Sequence, residues 1–146
     1  MDGRGREGFA MVTALLVVLV LSVLAVGAVW ISTSEKKTTT AESQHMRSVF
    51  AADAGGEAGI NFIRTADEPP VILDWGTKQV HSQGVTNLEG SQAYNFDVVH
   101  VRNRIKPGWQ EEYQDFDYRI GSVGEAGAQG QSGVAVVASR LFRTGY

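Results

Sequence analysis

Three histidines, His45, His81 and His100, are the side chains whose ordinary pKa lies nearest neutrality, so acid–base or metal chemistry would begin with them. They are far apart in the chain and none sits in a ligand spacing such as HxxxH, which reads as three surface histidines. Glu111, Glu112, Asp115 and Asp117 gather four carboxylates just before a strand-like segment. The alternating Asp/Asn ligands and central glycine of a calcium loop are missing, so a solvated acidic turn is expected, with a weak cation site as the lesser reading. The glycines between Gly124 and Gly133 lack the lysine of a phosphate-binding loop and precede a strand rather than a helix. No GxSxG or paired-carboxylate arrangement stands out, and cysteine is absent, which removes disulfides, thiolate metal sites and cysteine nucleophiles together. These residues predict no enzyme, no cofactor and no resident metal.

The elements that would carry any function are distributed unevenly. Phe9 to Ile31 reads FAMVTALLVVLVLSVLAVGAVWI, 23 residues with no charge, whose only hydroxyl side chains are Thr13 and Ser22. As a helix it is about 35 Å long, enough to cross a hydrocarbon core of about 30 Å. The rest is polar, with a net charge of −3 and scattered Lys and Arg, so no nucleic-acid partner is expected. A small exported domain without disulfides must stabilise itself by packing, and the long helix is expected to supply part of that core.

Three readings compete for the N-terminus. A secretory signal peptide could use Val26-Gly27-Ala28 as its cleavage site, but the apolar run is too long for one. A plain signal-anchor needs only the length. The third reading rests on Met1 to Gly8, a short hydrophilic leader with Arg4 and Arg6 whose final glycine abuts Phe9 directly. The two arginines keep the leader cytoplasmic and put the rest of the chain outside, a bias weakened by Lys36-Lys37 on the far side.

Gly8-Phe9 at the head of that run resembles the processing site of type IV prepilins. The resemblance implies cleavage between Gly8 and Phe9 by prepilin peptidase and methylation of the new Phe9 amine. Most major pilins carry Glu at the fifth mature position, where it neutralises a neighbouring subunit's ammonium in an apolar core. Here that position is Thr13, which can hydrogen-bond to backbone but cannot neutralise an amine. Phe9-Ala10-Met11-Val12-Thr13-Ala14-Leu15-Leu16 and the later Ala51-Ala52-Asp53-Ala54-Gly55-Gly56-Glu57-Ala58-Gly59-Ile60 are instead similar to PilX-type minor pilins, over residues 4 to 63.

No proline precedes Glu68, so one helix is expected from Phe9 to Arg64, frayed or bent near Thr38 to Thr40. Met46, Phe50, Ala54, Ala58 and Phe62 recur every four residues and predict the face that packs on the head. Gly55, Gly56 and Gly59 either permit close approach of a sheet or neighbouring helix or mark a weak spot. Glu68-Pro69-Pro70 ends the helix. Short strands are expected at Val71–Trp75 and Lys78–His81 within an irregular stretch reaching Gly90. Clearer ones follow: Gln92 to Asn103 with Tyr94, Phe96 and Val98 on one face, Asp115 to Val123 with Phe116, Tyr118 and Ile120 inward, and valine-rich Gly133 to Phe142. Gly124 to Gly133 reads as a flexible connection. Trp75 and Trp109 are assigned to packing, although the turn Lys106-Pro107-Gly108-Trp109 could present its indole outward.

The expected fold is therefore α+β: leader 1–8, a transmembrane half-helix 9–31, an amphipathic half 32–66, and a small antiparallel head 67–146, in the lollipop form that the resemblance implies. The resemblance further implies a minor pilin acting in initiation of pilus assembly near the filament tip. It would sit first in the bacterial inner membrane as a single span with a periplasmic head, then in the surface pilus. Its implied partners are prepilin peptidase, other minor pilins, the major pilin and a PilY-type tip adhesin. A type II secretion pseudopilin and a signal-anchored envelope protein with a small β domain remain the alternatives.

Overall fold

A computed structural model of the chain describes residues 4–70, 72–127 and 130–144. The first three residues of the leader, Val71 of the first expected short strand, and Ala128 and Gln129 of the expected connection lie outside the described residues. Two compact units divide the chain, Met1–Ala41 and Glu42–Tyr146. One helix, α1, spans Arg4–Thr65 and contributes to both.

In the first unit, α1 passes through the threonine-rich segment without a break. The hydroxyls of Thr38, Thr39 and Thr40 donate to the carbonyls of Ser34, Glu35 and Lys36 at 3.1, 3.0 and 2.9 Å, so each is satisfied on the helix itself. Thr13 donates to Phe9 O at 2.9 Å and Ser22 to Val18 O at 2.8 Å in the same way. A hydroxyl bonded to its own helix carries no orphan donor into an apolar surrounding. All side chains from Gly8 to Ala41 are exposed in the isolated chain.

The second unit is an antiparallel meander with the upper part of α1 laid on one face. Its strands are β1 (Gln79–Leu88), β2 (Gln92–Ile105), β3 (Tyr113–Ala126) and β4 (Gly130–Arg143), in spatial order β1-β2-β3-β4. The alternation read from the sequence holds: Phe96 and Val98 on β2 and Tyr118 and Ile120 on β3 are buried against the helix, with Tyr94 and Phe116 half-buried beside them. Ile63, Val80 and Phe142 complete the core. Each such side chain contributes about 1.5–3 kcal/mol on leaving water.

Three expectations change. Val71 to Trp75 forms no strand among its described residues beyond an isolated Asp74–Gln79 bridge, and Trp75 is 83% exposed. In its place β1 extends to Leu88, a polar strand with register shifts at Gln79/His81 and Gln83/Thr86 that hide any simple alternation. The glycine-rich stretch is mostly sheet: β3 continues to Ala126, β4 begins at Gly130, and the two pair at Ala126↔Gly130.

The largest correction concerns the helix face. Met46 and Phe50 are 59% and 64% exposed, while Ala54, Ala58 and Phe62 are only half-buried. The buried line is Ser48, Ala51, Ala52, Gly55, Gly56, Gly59 and Ile63. The reason is distance. A Cβ added to Gly124 on β3 would land on the backbone of Ala52 and Ser48, and one on Gly59 would collide with Ile120. So short a helix–sheet separation admits only small side chains from Ser48 to Gly59 and turns Met46 and Phe50 out, whereas Ala58, Phe62 and Ile63 pack on the core. The helix glycines are thus close-approach positions.

Candidate functional site

Gly8, Phe9 and Thr13 lie on the exposed first part of α1. Nothing approaches within 4 Å of where a Gly8 Cβ would stand, and Phe9 is 75% exposed. The Gly8–Phe9 peptide is thus sterically open in the isolated chain. It joins the fifth and sixth residues of α1, just past the four N–H groups without an intrahelical acceptor, and glycine there lowers the cost of fraying by about 1 kcal/mol relative to alanine. Thr13 holds its hydroxyl on Phe9 O, joining the first and fifth positions of the expected mature chain within one helix. That geometry offers a neutral bond and no charge.

From Phe9 to Ile31 this segment presents an uninterrupted apolar surface, including Leu15, Leu16, Val18, Leu19, Val23, Leu24, Val26 and Trp30, each at least 60% exposed. α1 is long and apolar enough in this part to cross a membrane.

The histidines separate. His45 is exposed, but His81 stacks on Phe62 with centroids 4.2 Å apart, and His100 lies 5.7 Å from the Tyr118 ring with its Nε2 buried and without a hydrogen-bond partner. The surface assignment therefore fails for His81 and His100, whose rings serve as aromatic packing. Among the described residues no three His, Cys, Asp or Glu side chains converge as metal ligands. Trp109 is 51% exposed at the β2–β3 turn, where its backbone N–H donates to Lys106 O at 3.1 Å and Gly108 takes φ 82°. Its ring contacts Tyr113 edge-on at 5.4 Å and has the Lys106 Nζ over it at 4.8 Å.

The acidic cluster is not a solvated turn throughout. Asp117 is buried on the sheet face opposite α1, where Arg102 Nε donates to its Oδ2 at 2.8 Å and Arg104 Nη2 to its Oδ1 at 2.9 Å. The Ser139 hydroxyl from β4 donates to the same Oδ1. These contacts, Ser139 first, hold the carboxyl well below its ordinary range, against the opposing effect of burial. They join β2, β3 and β4 through one anion, and they use the lone pairs that a cation would need. The sequence held a signal for this: Tyr118 and Ile120 facing inward put Asp117 outward, opposite the Arg102-x-Arg104 pair.

A depressed carboxyl pKa stabilises the fold above the unfolded value near 4 and loses that contribution as pH falls below it. Asp117→Asn should therefore cost about 1–3 kcal/mol at neutral pH, with both arginines more than half exposed keeping it from the upper end. The gap to wild type should narrow on acidification below about pH 4, as wild-type Asp117 is protonated, in thermal melts across pH.

Tyr118 gives the opposite case. It is fully buried, its hydroxyl lacks a hydrogen-bond partner, and burial pushes its pKa from 10.0 up to about 12, with Arg140 pulling the other way. The folded state keeps the phenol protonated where the unfolded chain ionises, so stability falls as pH rises from 10 towards about 12. Tyr118→Phe should leave neutral-pH stability unchanged or raise it by about 1 kcal/mol, and should remove that part of the alkaline loss. Melts at pH 7 and pH 11 read both effects.

Compared with known proteins, the chain matches the family model described as PilX N-terminal over residues 7–57, about a third of its length. No curated protein and no solved structure matches it.

Proposed function

We propose that this chain, whose residues 7–57 match the PilX N-terminal family model, is a type IV minor pilin processed between Gly8 and Phe9 and methylated on Phe9. The family match carries this reading, because it begins at Glu7 and takes in the whole exposed apolar segment. The chain waits in the inner membrane with Arg4 and Arg6 on the cytoplasmic side and the β-sheet unit in the periplasm. It then enters a priming complex with other minor pilins, ahead of the first major subunits and so at the filament tip.

Assembly moves the 9–31 helix from lipid into a bundle of like helices. Both surroundings are apolar, so the driving force is side-chain packing rather than burial from water. Thr13 fits a low-copy place in that bundle. A carboxylate repeated at every layer neutralises the ammonium of each neighbour, and an uncompensated ammonium in an apolar core is costly. A threonine whose hydroxyl is already held by Phe9 O supplies no such counter-charge, which suits a tip position with no subunit above it.

Quantitative mass spectrometry of purified filaments tests this. The expected result is this chain at a few copies per filament, with filaments lost or sharply reduced when it is deleted. Stoichiometry comparable to the major subunit would overturn the assignment. Thr13→Ala should leave incorporation within about twofold of wild type, since an exposed hydroxyl bonded to its own helix contributes about 0.5 kcal/mol or less to a neighbour.

A further inference from the structure

The two edges of the sheet are unlike. β1 is ten residues long, polar, and broken by two register shifts, the usual means of blunting an edge. β4 is 14 residues long, pairs with β3 from Gly130 to Arg143 without a shift, and carries neither lysine nor proline. In an antiparallel ladder about half of an edge strand's N–H and C=O groups point away from its neighbour. Among the described residues, no backbone or side-chain hydrogen bond reaches those groups of β4 from beyond it. The core is also open there: Val134, Val136 and Ala138 face the helix side yet stay half-exposed, and Val137 on the other face is 70% exposed.

We propose that β4 receives an extended strand from a different polypeptide, pairing antiparallel and adding a fifth strand to the sheet. The incoming strand is six to eight residues long by about 3.3 Å per residue of ladder. Alternate aliphatic side chains on it cover Val134, Val136 and Ala138. Because the only charges on β4 are Arg140 and Arg143, it carries a carboxylate near its start, beside Arg140. Arg140 donates from Nη1 to the Ile63 carbonyl and lies over the Phe142 ring, contacts that hold its guanidinium on the helix side of the edge where the incoming carboxylate would stand.

A second copy of this chain does not fit. A second β4 carries no Asp or Glu, so pairing two β4 strands would offer no carboxylate to Arg140 and would add two more arginines to the edge. Pairing with a second copy's β1 would meet its two register shifts, which leave only the short runs His81–Gln83 and Thr86–Leu88 in regular register.

The test uses the full chain in detergent and a synthetic eight-residue peptide of alternating valine and threonine opened by a glutamate. Binding should slow amide exchange at alternate residues of β4 and nowhere in β1. Two N-methylated versions, blocked on opposite edges of the peptide, should separate, one binding like the parent and the other about tenfold or more weakly for its lost hydrogen bonds. Equal binding by both, protection at β1, or no protection at β4 would overturn the proposal. So would efficient disulfide dimerisation of Val137→Cys, which in a chain without cysteine would identify a second copy as the occupant. None of these readouts depends on processing at Gly8, so failure here is distinguishable from failure of the pilin assignment.

Discussion

A Gly8→Val chain is expected to accumulate in the membrane with its leader attached, and filaments should be lost with it. The substitution is structurally silent in the isolated chain, because a Cβ at Gly8 meets nothing within 4 Å. Any loss of processing therefore reports on the enzyme's pocket rather than on the fold of this protein. A closed pocket discriminates by about 10–200-fold for a single methylene, so a branched side chain beside the scissile bond should slow cleavage by about a hundredfold or more. The β-sheet unit should melt at the wild-type temperature. Immunoblots separating precursor from mature chain, run beside near-ultraviolet circular dichroism melts, read both halves of the result. Normal cleavage of this variant would remove the glycine from the account.

The second large effect is expected at Gly124→Ala. One added carbon would fall on the Ala52 amide and the Ser48 carbonyl, both backbone of α1, so no rotamer change can make room. Relief requires the helix to lift from β3, and lifting opens the contacts of Gly55 with Tyr94 and of Gly59 with Ile120 and Phe96. Overpacking of this kind costs about 3 kcal/mol or more, which for a unit near 100 residues lowers the melting temperature by about 12–24 °C. Gly84→Ala is the matched control, since a Cβ there meets nothing within 4 Å and its backbone is not left-handed. The far-ultraviolet signal of the exposed 8–41 helix will mask much of the transition. Amide exchange in β2 and β3 is the better readout.

These two glycines show how far the sequence could be read. The span Phe9 to Ile31 was legible because length and absence of charge are one-dimensional properties. Strand faces at Tyr94, Phe96 and Val98, and at Phe116, Tyr118 and Ile120, were legible because a period of two survives wherever one face is buried. The packing face of α1 was legible only in part, at Ala58 and Phe62, which pack on the core, and not at Met46 and Phe50. Periodicity found Met46, Phe50, Ala54, Ala58 and Phe62 by apolar character, but a helix held this close to a sheet selects by size. Small residues at Ser48, Ala52, Gly55 and Gly59 outrank methionine and phenylalanine there. Glycine in a helix at 55 and 59 together with glycine in a strand at 124 was the available signal.

Glycine also misled between Gly124 and Gly133, where composition suggests a flexible linker. Close approach to Ala52 and Gln44 is what demands the glycines at 124 and 130, while the ladder itself continues through them. The clamp on Asp117 was missed for another reason. Its partners come from the two strands flanking β3, and only the register of β2 against β3 brings Arg102 and Arg104 to one carboxylate.

The exposure of Met46 and Phe50 now has a place in the functional account. They are two large apolar side chains turned away from their own sheet. In an assembled bundle they would meet neighbouring helices, which is the partner-facing role that a sequence stripe alone could not separate from core packing.

The central claim is that this chain is a processed pilin subunit, and the mass of its N-terminal peptide tests it most directly. Protein purified from the native membrane should begin at Phe9 and carry one methyl group on its amine. A chain that keeps Met1 and residues 1–8, or one cut beyond Val26 in the manner of a secreted protein, would contradict the account.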